Sequence, residues 1–377
     1  MLERITGAIK NYDWGSKNLI QDHLSLGEEN TKVAEVWFGT HQGGQSQVLA
    51  TGEALSKNLD APLSFLAKFL AAESPLSIQV HPNSTQAQAG FESEEVRGVS
   101  LSDPTRNYKD PSHKPEILIA LTPFRALCGF RPRAEVQQIF LAFSEASPRF
   151  GELAAKIATG LSLREIFTEL LEDVELATSF PEIFGGAHSF IQESVAQRAR
   201  SLVLELLNQY PGDTGALVAI LLNEVELAPG EAIFLPAGNL HAYISGLGFE
   251  VMAASDNVIR GGLTSKHVDR AELLKITDFS ELGQPQVKVQ KLAEGLVEYP
   301  VGDAPFRVYK AEVSSANLLA DLDLPAGAMV VCVSGEVAVS TSLEEREVLK
   351  KSEVAYLANA KKFSLSGSGT AFVVLAA

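Results

Sequence analysis

Cysteine is almost absent from this 377-residue chain, which has two, Cys128 and Cys332. They are far apart and share no metal-type spacing, so a disulfide framework and a thiolate metal site are both excluded, and two free thiols in a reducing compartment are expected. Positive charge is also short: 31 Lys and Arg face 47 Asp and Glu, a formal net charge of -16. A general nucleic-acid binder needs a basic face, and this balance argues against one. A small anionic substrate stays possible, provided a few cations gather near the chemistry. No apolar run approaches the roughly 20 residues that span a bilayer, and the opening MLERITGAIKNYDWGS lacks the uninterrupted apolar core of a secretion signal. No membrane partner and a cytoplasmic location are therefore expected. Histidine is scarce too, with seven, so each can be weighed.

The chain is long enough for two or three domains, and three textures succeed one another. Up to about residue 130, segments such as KVAEVWFGTHQGG, SQVLA, LSIQVHPN and EILIALTPF read as short strands bounded by Gly, Pro, Asn and Ser. Helical pieces are expected at Phe65 to Ala72 and Gln86 to Arg97. From Pro132 to Asn223 the period becomes helical. Ser162 and Glu165 form a capping box, after which Leu163, Ile166, Phe167, Leu170, Leu171 and Val174 share one face. Val195, Ala199, Leu202, Val203 and Leu206 repeat the pattern up to Pro211-Gly212. Strand texture returns at Val225 and runs to the C-terminus, with Gly/Pro turns that suit a β-sandwich or small barrel better than a parallel sheet.

Three stretches carry candidate chemistry. In Ser77-Ile78-Gln79-Val80-His81, residues two apart point to one side of a strand, so Ser77, Gln79 and His81 project together. A plain polar edge strand is the competing reading. In His113-Lys114-Pro115-Glu116, Lys114 and Glu116 lead into the apolar ILIAL, and a carboxylate at the mouth of a buried strand is costly unless paired or metal-bound. A surface salt bridge competes. In Gly230 to His241 the pattern G-x5-P-x-G-x2-H resembles the second signature of the cupin superfamily, whose fold is a jelly-roll barrel. Its glycines make tight turns, Pro236 fixes an edge, and His241 points inward. The usual His-x-His of the first cupin motif is here Gln79-x-His81, with Glu116 only after a long insertion, which disfavours the iron oxygenases of that superfamily. One amide oxygen, two imidazoles and one carboxylate suit zinc and leave room for a water or substrate oxygen.

Over nearly its whole length the chain resembles the type I mannose-6-phosphate isomerases. The resemblance is carried by Tyr12-Asp13-Trp14-Gly15, AEVWFGTH (Ala34 to His41), QVHPN, HKPE and the long block from Gly248 to Asp269. Ser112 stands where an asparagine is more usual. The resemblance implies a mainly β protein of two cupin-like jelly-roll barrels with an inserted all-helical domain. The expected divisions are 1–130 and 225–275 for the catalytic barrel, 131–224 for the insertion and 276–377 for a second barrel. With no histidine after His267, that second barrel is expected to be structural. One zinc ion per chain would sit on Gln79, His81, Glu116 and His241. Arg260 would be catalytic or substrate-binding, with Ser77, Lys68 and Lys266 near the phosphate and Lys114 beside the metal. Trp14 and Tyr243 are pocket candidates, and Glu250, Asp256, Lys114 and a metal-held water are the candidate bases.

The implied reaction interconverts mannose 6-phosphate and fructose 6-phosphate by proton transfer between C1 and C2 through an enediol-type intermediate. The partner is thus a small sugar phosphate, and the expected assembly a monomer or simple homo-oligomer. Two rivals are another cupin enzyme such as a dioxygenase, indifferent to Gln79 and Lys114, and a non-catalytic sugar-binding cupin, which would not need four ligands. His23, His41 and His188 have no companions in the sequence and are expected to be structural.

Overall fold

The computed structural model describes residues 1–24, 31–186 and 194–377; His188 lies outside them. The protein is mainly β. Among the described residues all pairings between named strands are antiparallel, as the Gly/Pro-punctuated short strands led one to expect. Two ten-stranded sheets result. One is built from strands between Ala8 and Gly262. The other is built from strands after Gln290, with Gln47–Val48 and the N-terminal strand Leu2–Thr6, which pairs with Val354–Ala358.

The first sheet folds into two layers that share the 13-residue strand His241–Ala253. Its first residues pair with Phe124–Phe130 and Ile78–Val80, and its later ones with Phe65–Ala72 and Glu116–Ala120. The crossover is at Gly246, with φ +121°, where an added Cβ would lie 2.7 Å from Pro123 O; only glycine fits such a bend. Strand alternation then sorts the side chains. Phe65, Ala67, Phe69 and Ala71 pack towards the second sheet, against Val331 and Phe372. Leu70, Ala72, Leu118, Ala126 and Tyr243 face inward between the layers. Ile78, Val80, Ala242, Ile244 and Ile259 pack on the helices.

Phe65–Ala72 is thus a central strand and not the helix expected from its texture. All eight of its residues are buried, and a strand covered on both faces reads as a continuous apolar run, which periodicity cannot tell from a buried helix. Lys68 accordingly sits on a strand, with 7% of its surface exposed.

Helices Arg133–Phe143, Pro148–Ala158, Leu163–Glu172, Val174–Phe184, Ser194–Gln209 and Gly215–Val218 lie in the chain between Phe124–Phe130 and Leu222–Leu227. The capping box at Ser162 and Glu165 is present, and Leu163, Ile166, Phe167, Leu170 and Leu171 are buried. Val174 departs from that face and is 54% exposed. The helix stops at Glu172, and Asp173 caps the next one through its bond from the Leu176 N–H, so Val174 opens a new helix in a different phase. Among the described residues no helix is long and apolar enough to cross a membrane.

Candidate active site

Inward alternation brings the three motifs to one place. Gln79 pairs directly with both His241 and Arg260, and Glu116 begins the strand that pairs with Val251 and Met252. His81 Nε2 and His241 Nε2 lie 3.2 and 3.5 Å from Glu116 Oε2, and Gln79 Nε2 is 3.3 Å from His241 Nε2. Turning that amide over places its oxygen at the same point. His81, Glu116 and His241 offer ligand atoms within 4.8 Å of one another, and all three are buried.

Each imidazole is held from behind. His81 Nδ1 meets Asn257 O at 2.7 Å, and His241 Nδ1 meets Asn239 O at 3.0 Å. A backbone carbonyl can only accept, so both rings carry their proton on Nδ1 and turn a bare Nε2 to the centre. The turn between Gly230 and His241 supplies part of this framing. Gly238, at φ +81°, donates its N–H to His81 O at 2.9 Å. Burial lowers the His81 pKa to about 4, so the ring is neutral. Burial opposes the Glu116 charge, yet His81 and Lys114 hold its carboxyl well below the usual range; Lys114 Nζ lies 3.2 Å from Glu116 Oε1. His81 Nε2 and Glu116 Oε2 are buried without a hydrogen-bond partner. Two converging buried acceptors left unmet are what a cation would satisfy.

A second cluster lies further along the inner face. Lys68 Nζ is 2.6 Å from Glu250 Oε2 and 3.1 Å from Glu35 Oε1. Tyr243 donates its hydroxyl to Glu250 Oε1, and Trp37 donates its indole N–H to Glu35 Oε2. Lys68 is therefore a buried ion-pair residue, not a solvated one. Burial raises the Glu250 pKa, with the Glu116 charge adding to it, against the pull of Lys68.

The other expected residues divide. Arg260 and Lys266 have no acidic partner among the described residues. Burial lowers the pKa of each, and for Lys266 Arg260 adds repulsion. The two cations stand close together and unpaired. Ser77 is half-buried just before the Gln79 strand. Trp14 is half-buried against the apolar cluster that contains Tyr243, and its backbone carbonyl accepts from the Glu73 and Ser74 N–H groups. Asp256 is exposed and held low by a hydrogen bond from His41.

His41 does have a companion, contrary to expectation: its Nε2 lies 3.3 Å from Asp256 Oδ2, while Nδ1 accepts from the Gly43 N–H. The two residues are over 200 positions apart, so no local signal joins them. Sequence reasoning also missed Glu35, Trp37, Asn239 and the buried Asn257. Asn257 fixes the ligand loop by donating Nδ2 to Asp110 O and Ser112 O and accepting the Lys109 N–H on Oδ1.

With that geometry in hand, likeness to known proteins is informative. The family model for the phosphomannose isomerase type I catalytic domain matches residues 2–133. A mannose-6-phosphate isomerase of Salmonella typhimurium is 32% identical, covering 98% of this chain and 97% of its own. A human mannose-6-phosphate isomerase is 30% identical over 95% of this chain and 93% of its own. Among solved structures, a zinc-bound mannose 6-phosphate isomerase superposes with a TM-score of 0.86 at 30% identity, over 100% of this chain and 99% of that one. The Salmonella typhimurium enzyme bound to fructose 6-phosphate and zinc also gives 0.86, at 29% identity over the same shares.

Proposed function

The chain belongs to the type I phosphomannose isomerases and is an isomerase of mannose 6-phosphate, and from that premise we propose how its residues divide the work. One zinc ion per chain binds Gln79, His81, Glu116 and His241. The observation that carries this is the pair of buried, partnerless acceptors, His81 Nε2 and Glu116 Oε2, with His241 Nε2 converging on the same carboxylate oxygen. When bound, the ion supplies positive charge that polarises and orients the sugar oxygens.

The protein's own residues do the rest. Arg260 and Lys266 have no acidic partner among the described residues of a chain of net charge -16, and they offer an anionic substrate its counter-charge. Arg260 stabilises the negative charge that develops on the C1–C2 oxygens. Ser77 and Lys266 take the phosphate. Lys68, engaged by two buried carboxylates, tunes Glu250 and leaves the phosphate to the other cations. A base removes the proton at C2 of open-chain mannose 6-phosphate. A proton passes from O2 to O1, and C1 is reprotonated to give fructose 6-phosphate. Of the candidates, Glu250 has the surroundings that best suit the base: burial raises its pKa, and a more basic carboxylate serves better in proton transfer. Asp256 is exposed and held low by His41, and Lys114 neutralises Glu116.

The same reading takes the two sheets as cupin-like jelly-roll barrels. It places the all-helical insertion at 131–224 and the metal-free C-terminal barrel at 276–377. The setting is cytoplasmic, and the assembly a monomer or simple homo-oligomer. Conversion in D2O tests the chemistry: solvent deuterium appearing at the exchanged carbon supports the enediol path. Full retention of the substrate hydrogen in the product, at every extent of conversion, sinks it in favour of a hydride shift.

A further inference from the structure

We infer that Asp213, in the turn at the end of the helical block, is a positioning residue that sets the placement of Arg260 and Lys266. Arg260 lies on the strand Ile259–Gly262, whose register slips between Arg260 and Gly262. The chain then takes two left-handed steps in succession, Gly262 at φ +137° and Leu263 at φ +54°. A leucine in that region is strained and persists only where its surroundings fix it. Leu263 is 1% exposed, locked into the core formed with the helices.

The other fixing group is Asp213. Its Oδ2 accepts the Thr264 N–H at 3.2 Å, and its Oδ1 accepts the Gly215 N–H at 2.8 Å. One carboxylate thus ties the turn Tyr210–Gly215 to the segment that begins directly after the Arg260 strand. Thr264 Oγ1 in turn accepts the Lys266 N–H at 3.1 Å, which carries the tie on to the second cation. The two backbones meet without side chains: a Cβ on Gly215 would lie 2.8 Å from Gly262 Cα, and one on Gly262 would lie 2.6 Å from Gly215 Cα. The same turn also holds the neighbouring strand, because Tyr210 donates its hydroxyl to Pro75 O at 2.8 Å, ahead of Ser77 and Gln79. Arg260 and Gln79 are paired residues, so the turn grips the end of each of the two strands that carry them.

The helical block is therefore more than a cover for the barrel: through Asp213 it sets where Arg260 and Lys266 stand. This rests on the assignment of Arg260 and Lys266 to the substrate. Asp213→Asn keeps the volume but offers one accepting oxygen where the carboxylate offers two, so either the Thr264 or the Gly215 bond is lost. In zinc-loaded protein we expect kcat/KM for mannose 6-phosphate to fall about 10–100-fold, the scale that a misplacement of about 1 Å costs in other sites. Bound zinc should be unchanged, and amide hydrogen exchange should quicken in the peptide spanning 259–266. Gly215→Ala, whose Cβ would lie 2.8 Å from Gly262 Cα and 2.9 Å from Asp213 Oδ1, pushes the turn from Gly262 and crowds the same carboxylate, and should do the same. Wild-type kcat and KM in Asp213→Asn, or a loss matched by lost zinc or lost folded protein, overturns the inference. Arg260→Lys, measured alongside, separates the two claims: if it retains full activity, the assignment of Arg260 itself fails.

Discussion

Replacing Lys68 by methionine should destabilise the protein strongly, and in a way that depends on pH. The ammonium lies 2.6 Å from one buried carboxylate and 3.1 Å from another. At an effective dielectric constant of 20 these contacts correspond to gross attractions of about 6 and about 5 kcal/mol. Desolvating the three ions takes back much of that. Truncating one member of a buried pair nevertheless costs about 3–5 kcal/mol, because the remaining charge is stranded. Lys68→Met strands two, Glu35 and Glu250. The thermal midpoint of the zinc-loaded protein should fall by about 5 °C or more at pH 8.

The sign with pH follows from linkage. Burial already raises the Glu250 pKa against the pull of Lys68, so without the lysine its folded-state pKa lies further above the unfolded value. Stability is then fully present below the unfolded pKa and lost as pH rises through the folded one. The deficit of the variant should therefore shrink on acidification from pH 8 towards pH 5, and Lys68→Met/Glu35→Gln should recover part of it. A midpoint within about 1 °C of wild type at pH 8, or a deficit that widens on acidification, would refute the reasoning.

Three further outcomes follow from the site and its frame. Glu116→Gln removes the carboxylate shared by both imidazoles, so zinc retained after dialysis should fall at least about 100-fold, measured by elemental analysis; wild-type retention would exclude Glu116 as a ligand. Gly238→Ala places a Cβ 3.1 Å from that of Asp278 at a φ of +81°, at a cost of about 1–3 kcal/mol. Because Gly238 N–H holds His81 O, zinc should also bind more weakly, by equilibrium competition against a chelator. His23, whose ring lies 5.2 Å from that of Phe69, has its pKa lowered to about 4 by burial and by Lys351. A depressed histidine keeps its stabilising share above its unfolded pKa of about 6.5 and loses it as pH falls towards about 4. His23→Phe should flatten that stretch of the urea-stability profile by about 1 kcal/mol, after allowance for screening; an unchanged slope would contradict the assignment.

The residues that converge at the candidate site were legible in the sequence as candidates because each sits in a local pattern: His81 at strand spacing from Gln79, Glu116 at the mouth of an apolar run, His241 behind a glycine–proline turn. The antiparallel class and the helical block were legible for the same reason, since both are written in short-range periodicity. What escaped was set by tertiary burial. Phe65–Ala72 looks helical because a strand covered on both faces shows no alternation. Lys68, read as a cation for phosphate, is claimed by Glu35 and Glu250, which lie 33 positions before and 182 after it. The pairing of His41 with Asp256 and the hold of Asp213 on Thr264 likewise join distant segments. Leu2–Thr6, at the other end of the chain, completes the sheet of the C-terminal strands for a reason no local pattern states.

The most direct test of the central claim is conversion of mannose 6-phosphate to fructose 6-phosphate by the purified protein, before chelation, after it, and after zinc is restored. Activity that is lost on chelation and returns with zinc is the predicted result. Full activity in the verified metal-free protein, or none in the zinc-loaded one, would contradict it.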